Sequence, residues 1–304
     1  MSQIRVIIAV AVSLLAFTFS AAKSKADQES VTQSAVRIPH LPKSLDFAGE
    51  TVPLDYGYVR ESIERELLTT SCMHTSTMLA LVRSTRYFPV IEPILEQYGV
   101  PNDFKYLCVA ESSLNELAVS PAKASGLWQF LSSAAKERGL EVNSTVDERY
   151  HVEKVTVAAC KYLKSAKEKF GSWTLAAAAY NVGRTGVIRR MEIQGVENYW
   201  DLFLPEETMR YVPRILSFKL IMSDPAAYGF NLTKDQALYP FEHYKIVKVD
   251  DAVLDWSKIA LKHKTNYREL RILNQWIRDY EHKNPNRKVY ELKIPTSKFT
   301  KAGY

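Results

Sequence analysis

The sequence predicts a mostly α-helical protein with a small α+β unit towards its C-terminal end. From about residue 56 to residue 223, apolar side chains recur at helical spacing, and Gly and Pro punctuate the pattern. Residues 173–180 are alanine-rich and apolar all round, as in a helix buried among others. Beyond about residue 239 the texture changes. Residues 243–249 alternate like a strand, two short helical patterns follow, and 289–295 form a second strand, giving a β-α-α-β order. At 304 residues, 46% hydrophobic and 24% charged, the chain has an ordinary globular composition with room for one or two domains.

Taken in order, residues 1–22 carry Arg5, an apolar run from Val6 to Phe19, then Ser20, Ala21 and Ala22. This reads as a secretory signal peptide cleaved after Ala22, with an uncleaved anchor as the alternative. No cysteine follows the run, so a lipid anchor is not expected. Residues 23–55 are polar and contain Pro39, Pro42 and Pro53, which predicts an extended lead-in. Tyr58, Ile63, Leu67, Met78, Leu81 and Val82 then form an interrupted apolar stripe, with a helix break expected near 69–71. Pro89 and Pro93 predict a new helix start, running to Gln97 and closed by Gly99; Pro101 opens the next helix. Further helices are expected at 132–138 with Gly139 as C-cap, and at 153–170 with Val157, Ala158, Cys160, Tyr162 and Leu163 facing the core. The last two are 173–180, ending in an Asn181-Val182-Gly183 turn, and 206–223, which Pro213 is expected to kink or divide.

The stretch 103–130 carries the chemistry. Phe104, Leu107, Cys108 and Glu111 follow an i, i+3, i+4, i+7 pattern and share one helix face. A carboxylate on that apolar stripe is costly unless it is hydrogen-bonded or protonated. Desolvation there raises its pKa, as a general acid near neutral pH requires. Read from spacing alone, Glu111 could equally be a helix-end carboxylate tipped out to water. Ser120-Pro121 forces a turn after the helix, because the residue before proline is pushed out of the α region.

The order Glu111-Ser112, Ser120-Pro121 with small residues after it, then Gly126-Leu127-Trp128-Gln129-Phe130, resembles the catalytic core of lytic transglycosylases. These are glycoside hydrolase family 23 relatives of goose-type lysozyme. Ala179-Tyr180-Asn181-Val182-Gly183 is similar to the family's Ala-Tyr-Asn-Ala-Gly, and Tyr211-Val212-Pro213 to its Tyr-Val-Pro. Asp147-Glu148-Arg149, Ala158-Ala159 and Tyr162-Leu163 stand where the family has a similar run. The resemblance spans roughly 87–230 and is nearest to the membrane-bound lytic transglycosylase D group. It implies a lysozyme-like domain with a helical N-terminal extension.

Glycoside cleavage usually takes two carboxylates. Only Glu111 is compelling here. Glu116 is expected in the loop after the helix, and Asp147 and Glu148 are expected to cap helices or pair with Arg149. The resemblance implies a single-carboxylate route. Glu111 protonates the glycosidic oxygen between N-acetylmuramic acid and N-acetylglucosamine, then accepts the proton of the sugar's own C6 hydroxyl, which attacks the anomeric carbon. Ser120 is implied near Glu111 or the substrate, with a turn cap as the plain alternative. Gly126 would let backbone approach the sugar and Gln129 would contact it. Tyr180 would place its hydroxyl beside the acid or the anomeric centre, Asn181 would bind an N-acetyl or hydroxyl group, and Tyr211 would line the cleft. Trp128 could stack on a sugar or sit in the core. No metal or organic cofactor is implied.

The C-terminal β-α-α-β pattern, with Asn274-Gln275-Trp276 and the terminal Leu292-Lys293-Ile294-Pro295, resembles a LysM module, a small glycan-binding domain. Asp250-Asp251-Ala252-Val253 stands where such modules have Gly-Asp-Thr-Leu. The expected plan is therefore a signal peptide at 1–22, an extended then helical region at 23–86, a catalytic domain at 87–238 and a LysM-like domain at 239–304. The formal charge of +6 suits an anionic polymer, and no nucleic-acid motif accompanies the scattered basic residues. Peptidoglycan strands are the expected partner of a monomer in the periplasm or cell envelope; peripheral membrane association stays open. Cys108 and Cys160 are expected as buried thiols, with pairing of Cys72 left open, and no Cys/His spacing suggests zinc. The alternatives are a hydrolytic muramidase and a non-catalytic peptidoglycan-binding or assembly protein whose site has decayed.

Overall fold

Two long helices and the segments they trap create the surroundings of Glu111. In the computed structural model, residues 39–233, 236 and 243–296 are described. The expected signal peptide at 1–22 and the expected domain boundary at 238–239 lie outside them.

The stripe after residue 56 forms Gly57–Cys72, and after a break at Met73 the next helix runs His74–Gln97. The break falls close to the expected one. The start expected at Pro89 does not occur, because the second helix continues through both Pro89 and Pro93. Proline removes an amide donor but leaves helical φ intact, and tertiary packing of Tyr87, Ile91 and Leu95 into the core holds the helix across it. The same holds for Pro213 within Glu206–Ser223. Its missing N–H frees the Met209 carbonyl, four residues earlier. The Tyr199 hydroxyl, 3.0 Å away, donates to that carbonyl.

Gly57–Cys72 packs along Glu206–Ser223. Their contact buries a hydroxyl pair, Thr70 with Ser217 at 2.9 Å, and a carboxylate, Glu66, which receives Arg210 Nε at 2.6 Å and Arg214 Nε at 3.2 Å. The Glu111 helix, Phe104–Ser112, lies against both His74–Gln97 and Glu206–Ser223. Val152–Phe170 stacks on Trp173–Val182, whose alanines 176–179 are fully buried, as the all-apolar composition predicts. The start of Trp173–Val182 takes an unforeseen partner. Residues in the expected extended lead-in form a small hairpin, β1 (Asp46–Phe47) with β2 (Glu50–Thr51). It places the Glu50 carboxylate on the amides of Trp173 (2.5 Å) and Thr174 (3.0 Å). The expected Asn181–Gly183 turn shrinks to Gly183, at φ +80°: the helix runs to Val182, and a further helix, Arg184–Gln194, begins after it.

The C-terminal segment has the expected strand-helix-helix-strand core, β3 (Tyr244–Val249), Trp256–Lys262, Tyr267–Leu273 and β6 (Tyr290–Pro295). β3 and β6 pair antiparallel from Tyr244 with Pro295 to Val249 with Tyr290. Two short strands escaped the sequence reading: β4 (Val253–Asp255) and β5 (Glu281–Lys283), which also pair antiparallel. Cys108 and Cys160 are buried free thiols, and Cys72 is free and exposed. Among the described residues, no helix is long and apolar enough to cross a membrane.

Candidate active site

The Glu111 helix is short because its end is decided locally. Ser113 and Leu114, immediately after it, adopt left-handed φ values of 49° and 53°. The Ser112 hydroxyl donates to the Leu127 carbonyl at 2.9 Å, tying the helix end to the segment that carries Gln129. Phe104, Leu107 and Cys108 are fully buried, so the predicted stripe is correct and Glu111 sits at its last turn, partly buried.

The Tyr211 hydroxyl donates to Glu111 Oε1 from a position 100 residues further along the chain. Burial pushes the Glu111 carboxyl up to about 7. The Tyr211 hydrogen bond and the Arg214 guanidinium pull it down, and the neighbouring Glu207 carboxylate pushes it up. Burial dominates, so Glu111 stands close to half-protonated at neutral pH. Its field reaches outward in turn: after burial, the Glu111 charge is the next cause raising the hydroxyls of Tyr180 and Tyr211 and the thiol of Cys108.

Tyr211, expected to line the cleft, touches the acid. Tyr180, expected to put its hydroxyl beside the acid, donates to the Trp128 carbonyl at 2.7 Å. Its ring stacks edge-on to Phe130 and Tyr162. Trp128 is fully buried, with Nε1 on the Thr156 hydroxyl at 2.9 Å, so it is core and not a sugar platform. The Ser120 hydroxyl oxygen accepts the Ala124 amide at 3.1 Å and closes the 120–124 turn. The turn-cap contact expected of Ser120 is present, and among the described residues it makes no hydrogen bond to Glu111.

Gly126 has φ +79°, and a Cβ there would lie 2.1 Å from the Arg149 carbonyl oxygen. Its missing side chain serves this backbone approach. Gln129 also adopts a left-handed φ, 48°, and its Nε2 donates to the carbonyls of Gly126 (2.8 Å) and Ala118 (3.1 Å). Asn181 Oδ1 accepts the Thr208 hydroxyl at 2.8 Å.

The other carboxylates are accounted for. Glu116 lies in the loop, as expected, and receives the Tyr87 hydroxyl; burial raises its pKa. Asp147 accepts the Arg149 amide and pairs with its guanidinium, and Glu148 pairs with Lys154 at 2.5 Å. Capping and pairing with Arg149 were anticipated and occur at Asp147; the Lys154 partner of Glu148 was not. Glu66, Arg214 and Thr208 were missed. Glu66 sits mid-stripe between Ile63 and Leu67, and that buried register was the available signal. No local pattern marks the other two. Among the described residues, no group of three or more His, Cys, Asp or Glu side chains is arranged to hold a metal ion.

Two segments of the chain resemble known proteins. Residues 89–203 match the family model "Transglycosylase SLT domain", and residues 245–298 match "Soluble lytic transglycosylase C-terminal LysM-like domain". The proteins named "Membrane-bound lytic murein transglycosylase D" from Escherichia coli K12 and Escherichia coli O6:H1 are each 30% identical over 185 residues. That is 59% of this chain and 40% of those relatives, so the chain spans well under half of their length. The X-ray structure of an inactive mutant of the lytic transglycosylase Slt from Pseudomonas aeruginosa is similar over 51% of this chain and 27% of that one. It shares 18% identity at a TM-score of 0.37.

Proposed function

We propose that this chain, which carries a transglycosylase SLT domain followed by a soluble lytic transglycosylase C-terminal LysM-like domain, is a peptidoglycan lytic transglycosylase. Its bond is the β-1,4 link from N-acetylmuramic acid to N-acetylglucosamine, and its product ends in 1,6-anhydro-N-acetylmuramic acid. The observation that carries this reading is Glu111: a carboxyl on an otherwise apolar helix face, titrating at about 7 and gripped by Tyr211 at Oε1 alone among the described residues.

Oε2 is then the oxygen assigned to the proton in transit. The protonated carboxyl donates to the glycosidic oxygen as the C1–O4 bond breaks. The resulting carboxylate, steadied by the Tyr211 hydrogen bond, accepts the C6 hydroxyl proton as O6 bonds to C1. Atoms balance without water, and the acid is restored. The attacking group belongs to the same sugar, so its effective concentration is high. A carboxyl poised near operating pH serves both directions of transfer. Ser120, Gly126, Gln129, Tyr180 and Asn181 form the surrounding wall. In this role, the backbone 118–130 loop and the Asn181 amide meet the glycan strand.

The domain plan that goes with this reading is a catalytic domain at 87–238 and a LysM-like domain at 239–304. The cell envelope is its place of action. The test is mass spectrometry of digested cell-wall sacculi. Anhydro ends are expected from the wild type and at least about a hundredfold fewer from Glu111→Gln. Reducing ends without anhydro product would assign a hydrolytic muramidase instead, and binding without soluble product a non-catalytic role.

A further inference from the structure

The C-terminal module is built into the catalytic domain through the strap at residues 141–153. Val146 pairs with Ile277 as an antiparallel bridge. The Asp147 amide donates to the Trp276 carbonyl at 2.8 Å, and the Arg278 amide to the Thr145 carbonyl at 2.8 Å. Val146 and Tyr150 belong to the same buried cluster as Leu254, Trp256, Trp276, Tyr290 and Leu292. Ion pairs flank the seam: Lys288 with Glu141 at 2.7 Å, and Lys293 with Glu153. Strand pairing plus a shared apolar core makes the strap part of the module's own fold, unlike a flexible tether.

The strap in turn grips the 123–130 segment. Asp147, anchored by Trp276, binds the buried Arg149 guanidinium at two oxygens, Nε to Oδ1 at 2.9 Å and Nη2 to Oδ2 at 2.7 Å. The remaining nitrogen, Nη1, donates to the carbonyls of Lys123 (2.9 Å) and Phe130 (3.1 Å). Those two carbonyls bracket the segment holding Gly126 and Gln129, and the Arg149 carbonyl abuts Gly126 at its middle. Lys123 and Gln129 both hold left-handed backbone, which a non-glycine residue keeps only when its surroundings insist. A planar fork with fixed donors can satisfy a carboxylate and two carbonyls at once; an ammonium cannot.

We propose that Arg149 is a positioning residue for the Ser120–Gln129 wall of the cleft, and that the C-terminal module acts on the cleft through it. The module is then a structural jaw of the active site as well as a surface for glycan. The kinetic consequence rests on the function proposed above; the mechanical one does not.

The test uses the full chain in three forms: wild type, Arg149→Lys, and Leu254→Ala in the module's core. Hydrogen exchange is followed at the amides of Ser125 and Gly126, which bond to the carbonyls of Phe130 and Ala118. Arg149→Lys is expected to speed their exchange about tenfold while the far-UV spectrum is kept, and Leu254→Ala to speed it by a smaller factor. On soluble glycan strands Arg149→Lys is expected to raise KM at least about threefold, with the pH midpoint set by Glu111 unmoved. A purely structural loss would lower the active fraction and leave KM alone. Unchanged protection in Arg149→Lys, or an unmoved KM, overturns the positioning role. Loosened module amides beside an unchanged loop in Leu254→Ala overturn the role of the module. Should Arg149→Lys not fold, the paired D147N/R149Q, which leaves no lone buried charge, takes its place. If the wild type releases no glycan product, the proposed function fails, and the exchange experiment still decides the mechanical claim.

Discussion

Tyr211→Phe removes one oxygen, and with it the hydrogen bond that Glu111 Oε1 receives. The sign follows from which form the bond favours. Donation to a carboxylate stabilises the charged form and so holds the pKa below the value that burial alone would set. A hydrogen bond to a charged group contributes ~1.5–3 kcal/mol net, and one pKa unit corresponds to ~1.4 kcal/mol. Losing the bond should therefore raise Glu111 by about 1–2 units, moving its midpoint from about 7 to about 8–9. In the proposed mechanism the free enzyme needs the protonated acid, so kcat/KM falls as pH rises through this pKa. The variant should keep its acid-form activity to higher pH. It should also turn over more slowly on the plateau, because the carboxylate forming in the transition state has lost its donor. With half the charge developed, the loss is ~0.8–1.5 kcal/mol, or roughly 4- to 13-fold. The assay is kcat/KM on soluble glycan strands from pH 5 to about 9.5. An alkaline midpoint that stays put or moves down would refute the role of Tyr211 as the donor that tunes Glu111.

Glu111→Gln should lower turnover by about 10²–10⁴-fold, measured as anhydro ends released from sacculi. The same variant carries a stability signature. The folded pKa of Glu111 lies above its unfolded value, so its contribution is fully present below about pH 4.3 and is lost as pH rises through about 7. Thermal unfolding should show Glu111→Gln more stable than wild type at pH 8, by up to ~3 kcal/mol, and little different at pH 4. Gly126→Ala, which forces a Cβ against the Arg149 carbonyl at positive φ, should cost more than ~2 kcal/mol in denaturant unfolding; a near-neutral change would mean the strap yields freely. In thiol titration of the native protein, Cys72 alone should react promptly. Cys108 and Cys160, whose thiols burial pushes up, should appear only on unfolding.

Much of the fold follows from local rules. The stripe of Phe104, Leu107 and Cys108 puts Glu111 on a buried face because residues three, four and seven apart share a helix side. The all-apolar run at 173–180 has no polar face to show to water, and its alanines are buried in fact. Strand alternation at 243–249 and 289–295 marks β3 and β6. Capping and pairing of Asp147 with Arg149 are two-residue events, legible at that range.

What tertiary structure decided is partnership between distant residues. Local rules start a helix at Pro89 and kink one at Pro213, since each proline deletes a backbone donor. A packed core holds the first helix, and the Tyr199 hydroxyl supplies the donor for the second. Nothing along the chain paired Tyr211 with Glu111; only the approach of Glu206–Ser223 brings its hydroxyl onto Oε1, while the Tyr180 hydroxyl donates to the Trp128 carbonyl. The bridge from Val146 to Ile277 is likewise invisible along the chain. Periodicity reports which side of an element is apolar. It carries no information about which other element covers that side, because hydrophobic burial is non-directional and the directional bonds form only once the elements have met.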